Sequence, residues 1–182
     1  MITTVVAALA LSIGVAPPTS EPQPVPEGFV PVVDDTRTIV VAVPETWTDV
    51  NTVALVNDDG TPRPYIAVSP DIDSFLATFD TPGVLYMALP FELNPVVVVE
   101  SYGLTSGCET IEVKTYDDPM FVGVIQIGTN CGPLGMTWNM VVASNADHTF
   151  TAVVQVQTVV EDQAREIVLL TFNTLEAATL PG

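Results

Sequence analysis

The sequence predicts an α+β fold in which an antiparallel β-sheet is flanked by helices. Three observations carry this. From Cys108 onward, apolar and polar residues alternate with period two through successive runs, as antiparallel strands require. Ile72, Phe75, Leu76 and Phe79 fall instead at i, i+3, i+4 and i+7, one stripe of a helix, and Ala164, Ile167, Val168, Phe172 and Leu175 repeat that spacing near the end. The only two cysteines, Cys108 and Cys131, bracket a pair of the alternating runs.

The chain opens on MITTVVAALALSIGVA. Its apolar stretch has the length of a signal-peptide core and is short for a bilayer span, so residues 1–16 read as a leader, although no basic residue precedes the apolar run. Residues 17–33 read as a Pro-rich linker, with six prolines among residues 17–31. Proline fixes φ and cannot donate to a ladder, so an extended, semi-rigid spacer is expected. A single α+β domain is expected over residues 34–176, followed by a tail over residues 177–182.

Within the domain, the β-branched run TIVVAV reads as a strand stopped by Pro44, and Trp47 should pack over the core. Asn57-Asp58-Asp59-Gly60 is a turn, because the ligand spacing and closing Glu of a calcium loop are missing. Residues 65–68 form a short strand. Ser69 can then cap a helix with Pro70 at its first position and Asp71 and Asp73 in its first turn. Thr81-Pro82-Gly83 ends that helix, and residues 84–89 are a buried strand. Asn94-Pro95 again reads as a cap and first helical position, for a helix over residues 94–102 closed by Gly103; the β-branched run inside it would also suit a strand. Two strands follow, turning at Asp117-Asp118-Pro119. A third carries Trp138, Met140 and Val142 on one face. The last carries Phe150, Ala152, Val154 and Val156. A final helix starts at Glu161-Asp162 and should lie across the sheet, which is expected to bury one face well.

Composition narrows the function. The net charge is -18, and Arg37, Arg63, Lys114 and Arg165 are the only Lys or Arg residues. Four scattered cations cannot line a nucleic-acid groove or dock on anionic lipid. A mean hydropathy of +0.44 argues against a disordered chain. In a chain with export features the cysteine pair reads as a disulfide, worth roughly 3 kcal/mol for a loop of this length. Two buried free thiols are the rival reading. The expected location is secreted or in the cell envelope, with no membrane span once the leader is removed.

No catalytic constellation is apparent. The only histidine, His148, sits in a polar turn with no G-x-S-x-G elbow. With the cysteines committed to each other, too few ligands remain for zinc, and phosphate-binding motifs are missing. No metal, cofactor or catalytic residue is therefore assigned. Asp117 and Asp118 are the best-placed carboxylates for a carboxylate-only hydrolase, but turn formation explains them more simply. The candidate contact surface comprises Tyr116, Asp117, Asp118, Met120 and Trp138, with the sheet edge and residues 132–138. The expected function is an exported, non-enzymatic interaction module with an extracellular or envelope protein partner. A small apolar-ligand carrier, with a pocket between sheet and helix, is the alternative.

Val43, Pro44 and Trp47, then Cys108, Tyr116, Asp117, Gly123, Cys131 and Gly132, then Asp162, Ala164 and Phe172 form a pattern of their own. It resembles the accessory domain of secreted actinobacterial proteins, sometimes attached to trypsin-like proteases, that is similar to the Mog1/PsbP-like family. The resemblance implies an α/β/α sandwich without catalysis, and it transfers no site residues.

Overall fold

The computed structural model describes residues 25–90, 94–147, 149–159 and 163–172. The leader, the first part of the linker, His148, the helix start at Glu161-Asp162, Leu175 and the tail lie outside the described residues. In chain order the elements are β1 (Phe29–Val33), β2 (Val40–Pro44), β3 (Asp49–Asn51), β4 (Leu55–Val56), β5 (Pro62–Arg63), β6 (Tyr65–Ser69) and α1 (Ile72–Ala77). Then come β7 (Gly83–Pro90), α2 (Pro95–Tyr102), β8 (Cys108–Asp117), β9 (Phe121–Cys131), β10 (Met136–Asn145), β11 (Phe150–Thr158) and α3 (Gln163–Thr171). Seven strands form one sheet in the order β3-β6-β7-β11-β10-β9-β8, every neighbour antiparallel. The fold is broadly α+β, but it is mostly sheet with a few short helices.

The sheet buries both faces at its centre, not one. On β10 and β11 the two residue sets of the period-two pattern go into two separate cores. Val141, Ala143, Ala152, Val154 and Val156 face Ile39, Val41, Val43 and Trp47 beside β2, together with Ala164, Val168 and Phe172 of the α3 segment. Trp138, Met140, Val142 and Val153 face Val98 and Val99 of α2. Alternation reveals which residues share a face, but not whether that face is covered. The signal that both are covered lies in β10, where even Thr137 and Asn139 are buried.

The first core has an unexpected cover. Residues 29–33, read as linker, form β1 and pair with β2 in a two-stranded ribbon. Pro31 is tolerated because β1 is an edge strand. One face of the sheet is thus covered by a ribbon and a helix together. Thr171 joins them: its Oγ1 accepts from Ala42 N at 3.0 Å and donates to Ile167 O at 2.7 Å.

The β1–β2 turn is closed by Asp34, which is almost fully buried. Its Oδ1 accepts from Thr38 N at 2.7 Å and Ile39 N at 2.8 Å, and its Oδ2 from Thr36 N at 2.9 Å and from the Thr36 hydroxyl. The Tyr86 hydroxyl is pushed up from its ordinary pKa, by burial first and then by this carboxylate. Asp34→Ala would leave the buried Ile39 N–H and the part-buried Thr36 and Thr38 N–H groups without this acceptor. It is expected to destabilise the domain by about 2–4 kcal/mol in denaturant titration. A loss under about 1 kcal/mol would mean that water replaces the carboxylate at little cost.

Two helices differ in how well their caps were legible. α2 begins as its residues dictate: the Asn94 side chain accepts from Val96 N, and Pro95 opens the first turn. Gly103 ends it with φ -73°, an ordinary conformation. Glycine is required there for space, since a Cβ would lie 2.4 Å from Val99 O and 2.6 Å from Gln126 Oε1. α1 starts later than expected. Ser69 remains in the ladder opposite Asp49, and its hydroxyl accepts from Asp71 N while donating to Pro82 O. Asp71 is the cap, its carboxylate accepting from Ser74 N and the Ser74 hydroxyl, both at 3.0 Å. These bonds hold its pKa below the usual aspartate value, the backbone bond first. Of the expected stripe, Phe75 is buried, Ile72 and Phe79 are half-buried, and Leu76 is exposed.

Candidate functional site

The proposed contact residues do not form one surface. Trp138 is 2% exposed and packs among Met136, Met140 and Val142, so it belongs to the core and is removed from the site. Tyr116 is half-buried, with its ring 6.1 Å from that of Phe172, and it too serves packing. Both aromatics sit on strands whose alternation was clear, but period two cannot distinguish an inner aromatic from an outer one. The β8–β9 turn and the Gly132-to-Trp138 segment lie at opposite ends of β9. That strand spans about 35 Å at its usual rise, so the two loops cannot grip one ligand together.

The carboxylates at the β8–β9 turn are built for geometry. Asp118 Oδ1 accepts from Met120 N at 2.7 Å and Phe121 N at 2.8 Å, and Asp118 N donates to Phe121 O. This is an aspartate folding its own turn. Asp117 is exposed at the end of β8. Among the described residues no group of three His, Cys, Asp or Glu side chains could hold a metal ion. The Asn57–Gly60 turn is likewise self-contained: Asp59 Oδ1 accepts from Thr61 N and Oγ1, which holds its pKa below the ordinary value, the side-chain bond first.

Cys108 and Cys131 are bonded, directly opposite one another across the β8–β9 pair, with Cα atoms 3.9 Å apart. The bond ties the base of the hairpin to the second core, where Cys131 is fully buried. Gly128 makes room for it, because a Cβ there would meet Cys108 Sγ at 2.7 Å and Cys131 Sγ at 3.0 Å. The bond fits a protein that folds in an oxidising compartment. Among the described residues no helix is long and apolar enough to cross a membrane.

At the other end of the hairpin lies a groove. Pro95 and Val96 form one wall, Val122, Gly123 and Val124 of β9 its floor, and Ser144, Asn145 and Ala146 the far side. It encloses about 430 Å³, is open to solvent, and is lined mostly by apolar surface. Ala146 N donates to Met120 O at 3.0 Å, so the two turns beside it are locked together. Val122 is 62% exposed, Val96 stands out on α2 in the same lining, and Met120, 49% exposed, lies in the adjoining turn. None of the described lining side chains titrates near neutral pH. Of the expected contact residues, Met120 belongs to this end of the molecule, with Asp117 and Asp118 in the adjoining turn. Pro95, Val96, Val122 and residues 144–146 were missed. Their signal was weak, because three distant segments meet here and each looks ordinary in isolation.

No family model, curated protein or solved structure matches this chain.

Proposed function

We propose that this chain is an exported, non-enzymatic interaction domain whose contact surface is the groove between α2 and the β9–β10 end of the sheet. The observation that carries the proposal is the pair of exposed apolar side chains Val96 and Val122 in the lining of a concave surface, with exposed Met120 in the adjoining turn and no titratable side chain among the described lining residues. Exposed apolar residues gathered at a concavity mark contact sites, whereas scattered ones do not. The net charge of -18 adds a preference for the occupant: a protein segment with an apolar anchor and basic flanks. Secretion belongs to the same proposal and rests on the disulfide and the leader-like sequence. Membership of the Mog1/PsbP-like family, with its helix–sheet–helix sandwich, is also proposed and rests on the sequence motifs alone.

Selection of displayed random peptides on the disulfide-intact protein tests this. Sequences pairing an aromatic or aliphatic anchor with Lys or Arg are expected, and their binding should be lost in Val122→Asp. Selection that yields no such sequences, or peptides indifferent to Val122→Asp, would overturn it. The alternative of an apolar-ligand carrier is favoured by one feature, the position of the groove between helix and sheet. A volume of about 430 Å³ lies within the range of small-molecule sites, but carriers enclose most of their ligand and this groove is open. A saturable thermal shift with lipids or cell-wall fragments, and none with peptides, would favour the carrier.

A further inference from the structure

The exposed outer side of β8 supports an inference that does not depend on what the groove binds. β8 is one of the two terminal strands, ten residues long, and among the described residues β9 is its one strand partner. A long, exposed edge of this kind is a template for strand addition, and proteins commonly guard it with a lysine. Lys114 stands near the middle of β8, its Nζ 2.7 Å from Glu112 Oε2, with both side chains more than half exposed.

The strand is complementary to itself. Turned antiparallel against a second β8 about Val113, Glu112 falls opposite Lys114 and Lys114 opposite Glu112, while Val113 meets its own copy. Ile111 then faces Thr115, and Thr110 faces Tyr116. A two-fold axis perpendicular to the sheet keeps each side chain on its own face, so registers shift in steps of two residues. The neighbouring registers are unfavourable, since one sets Glu112 against Glu112 and the other Lys114 against Lys114. Only the register centred on Val113 makes the charges alternate around a square, each carboxylate between two ammonium groups. Val113, 53% exposed in the single chain, would be covered by its counterpart. At the strand ends Glu109 would oppose Asp117. Both are exposed, where solvent and salt weaken the repulsion, and Glu109 already accepts from Asn130 Nδ2 at 2.7 Å.

We propose that two copies of this chain pair through β8, antiparallel and centred on Val113, to form one continuous sheet. The guard lysine becomes the element that sets the register.

Sedimentation equilibrium of the full, disulfide-intact chain at physiological ionic strength tests this. The unmodified protein is expected to show a concentration-dependent dimer. Lys114→Glu and Glu112→Lys should each raise the dissociation constant about tenfold or more, because each replaces two attractive cross-strand pairs with two repulsive ones. The combined Glu112→Lys/Lys114→Glu variant should recover the dimer, since the swapped strand is again complementary to itself. Circular dichroism verifies folding in each variant. A monomer throughout the concentration range, single variants that dimerise as well as or better than the parent, or a combined variant no better than either single one would each overturn the proposal.

Discussion

Phe172→Ala is expected to lower the stability of the domain by about 3–5 kcal/mol, a large share of what a domain of this size possesses. Phe172 follows directly on α3 and is 3% exposed. Its ring lies 5.3 Å from that of Phe121, 5.9 Å edge-on from Tyr86 and 6.1 Å from Tyr116. These partners come from β9, β7 and β8, so one side chain joins the helix to three strands of the sheet. Truncation removes the apolar burial and the aromatic contacts that tie the end of α3 to the sheet, and leaves a cavity that rigid strands cannot close. Urea titration reads the loss as a lower midpoint, with reduced near-ultraviolet dichroism from the tyrosines. Leu76→Ala is the control. Leu76 shares the apolar stripe of α1 in the sequence but is exposed, so its substitution should stay within about 0.5 kcal/mol. Equal effects from the two would show that the aromatic cluster does not hold the helix.

Removing the disulfide has the second large effect. Cys108→Ala/Cys131→Ala frees a connection of sequence separation 23 and should cost about 3 kcal/mol, whether the cause is chain entropy or changed solvation of the unfolded state. Gly128 makes this prediction sharper. Gly128→Ala puts a methyl against both sulfurs, so in the bridged protein it should destabilise by about 1–3 kcal/mol. Once the sulfurs are gone the methyl has room, and its cost should fall to below about 1 kcal/mol. The two sites are thus coupled, and a double-mutant cycle measures the coupling. Additive losses would refute the packing of Gly128 against the bridge. Mass spectrometry of native material should find no free thiol, and unpaired cysteines there would also remove the main support for secretion.

Much of the local structure was legible because its causes are local. Asn94 and Pro95 specify a helix start within three residues, and they outweigh the β-branched run that follows. Asp118 organises its turn through bonds to residues two and three positions on. The period-two runs mark the strands. The cysteines, too, were paired correctly, since there were only two. Other features were misread for an equally physical reason. Ser69 and Asp71 are both good caps, and the choice went to Asp71 because β6 holds Ser69 in its ladder with β3. Phe29 to Val33 looked like spacer because Pro31 interrupts it, yet β2 offers an edge that a proline can occupy. Trp138 looked available because strand periodicity carries no information about what lies above the sheet.

From its residues alone this protein is an acidic, bridged α+β domain with four clear strands after Cys108 and turns written by Asp, Asn, Gly and Pro. Those features follow from backbone preferences and contacts a few residues apart. The placement of β11 between β7 and β10, the two cores and the meeting of α2 with the ends of β9 and β10 are of another kind. They arise from pairings between residues far apart in the chain, chosen by which combination buries the most apolar surface. The groove and the exposed outer side of β8 exist only as results of that choice.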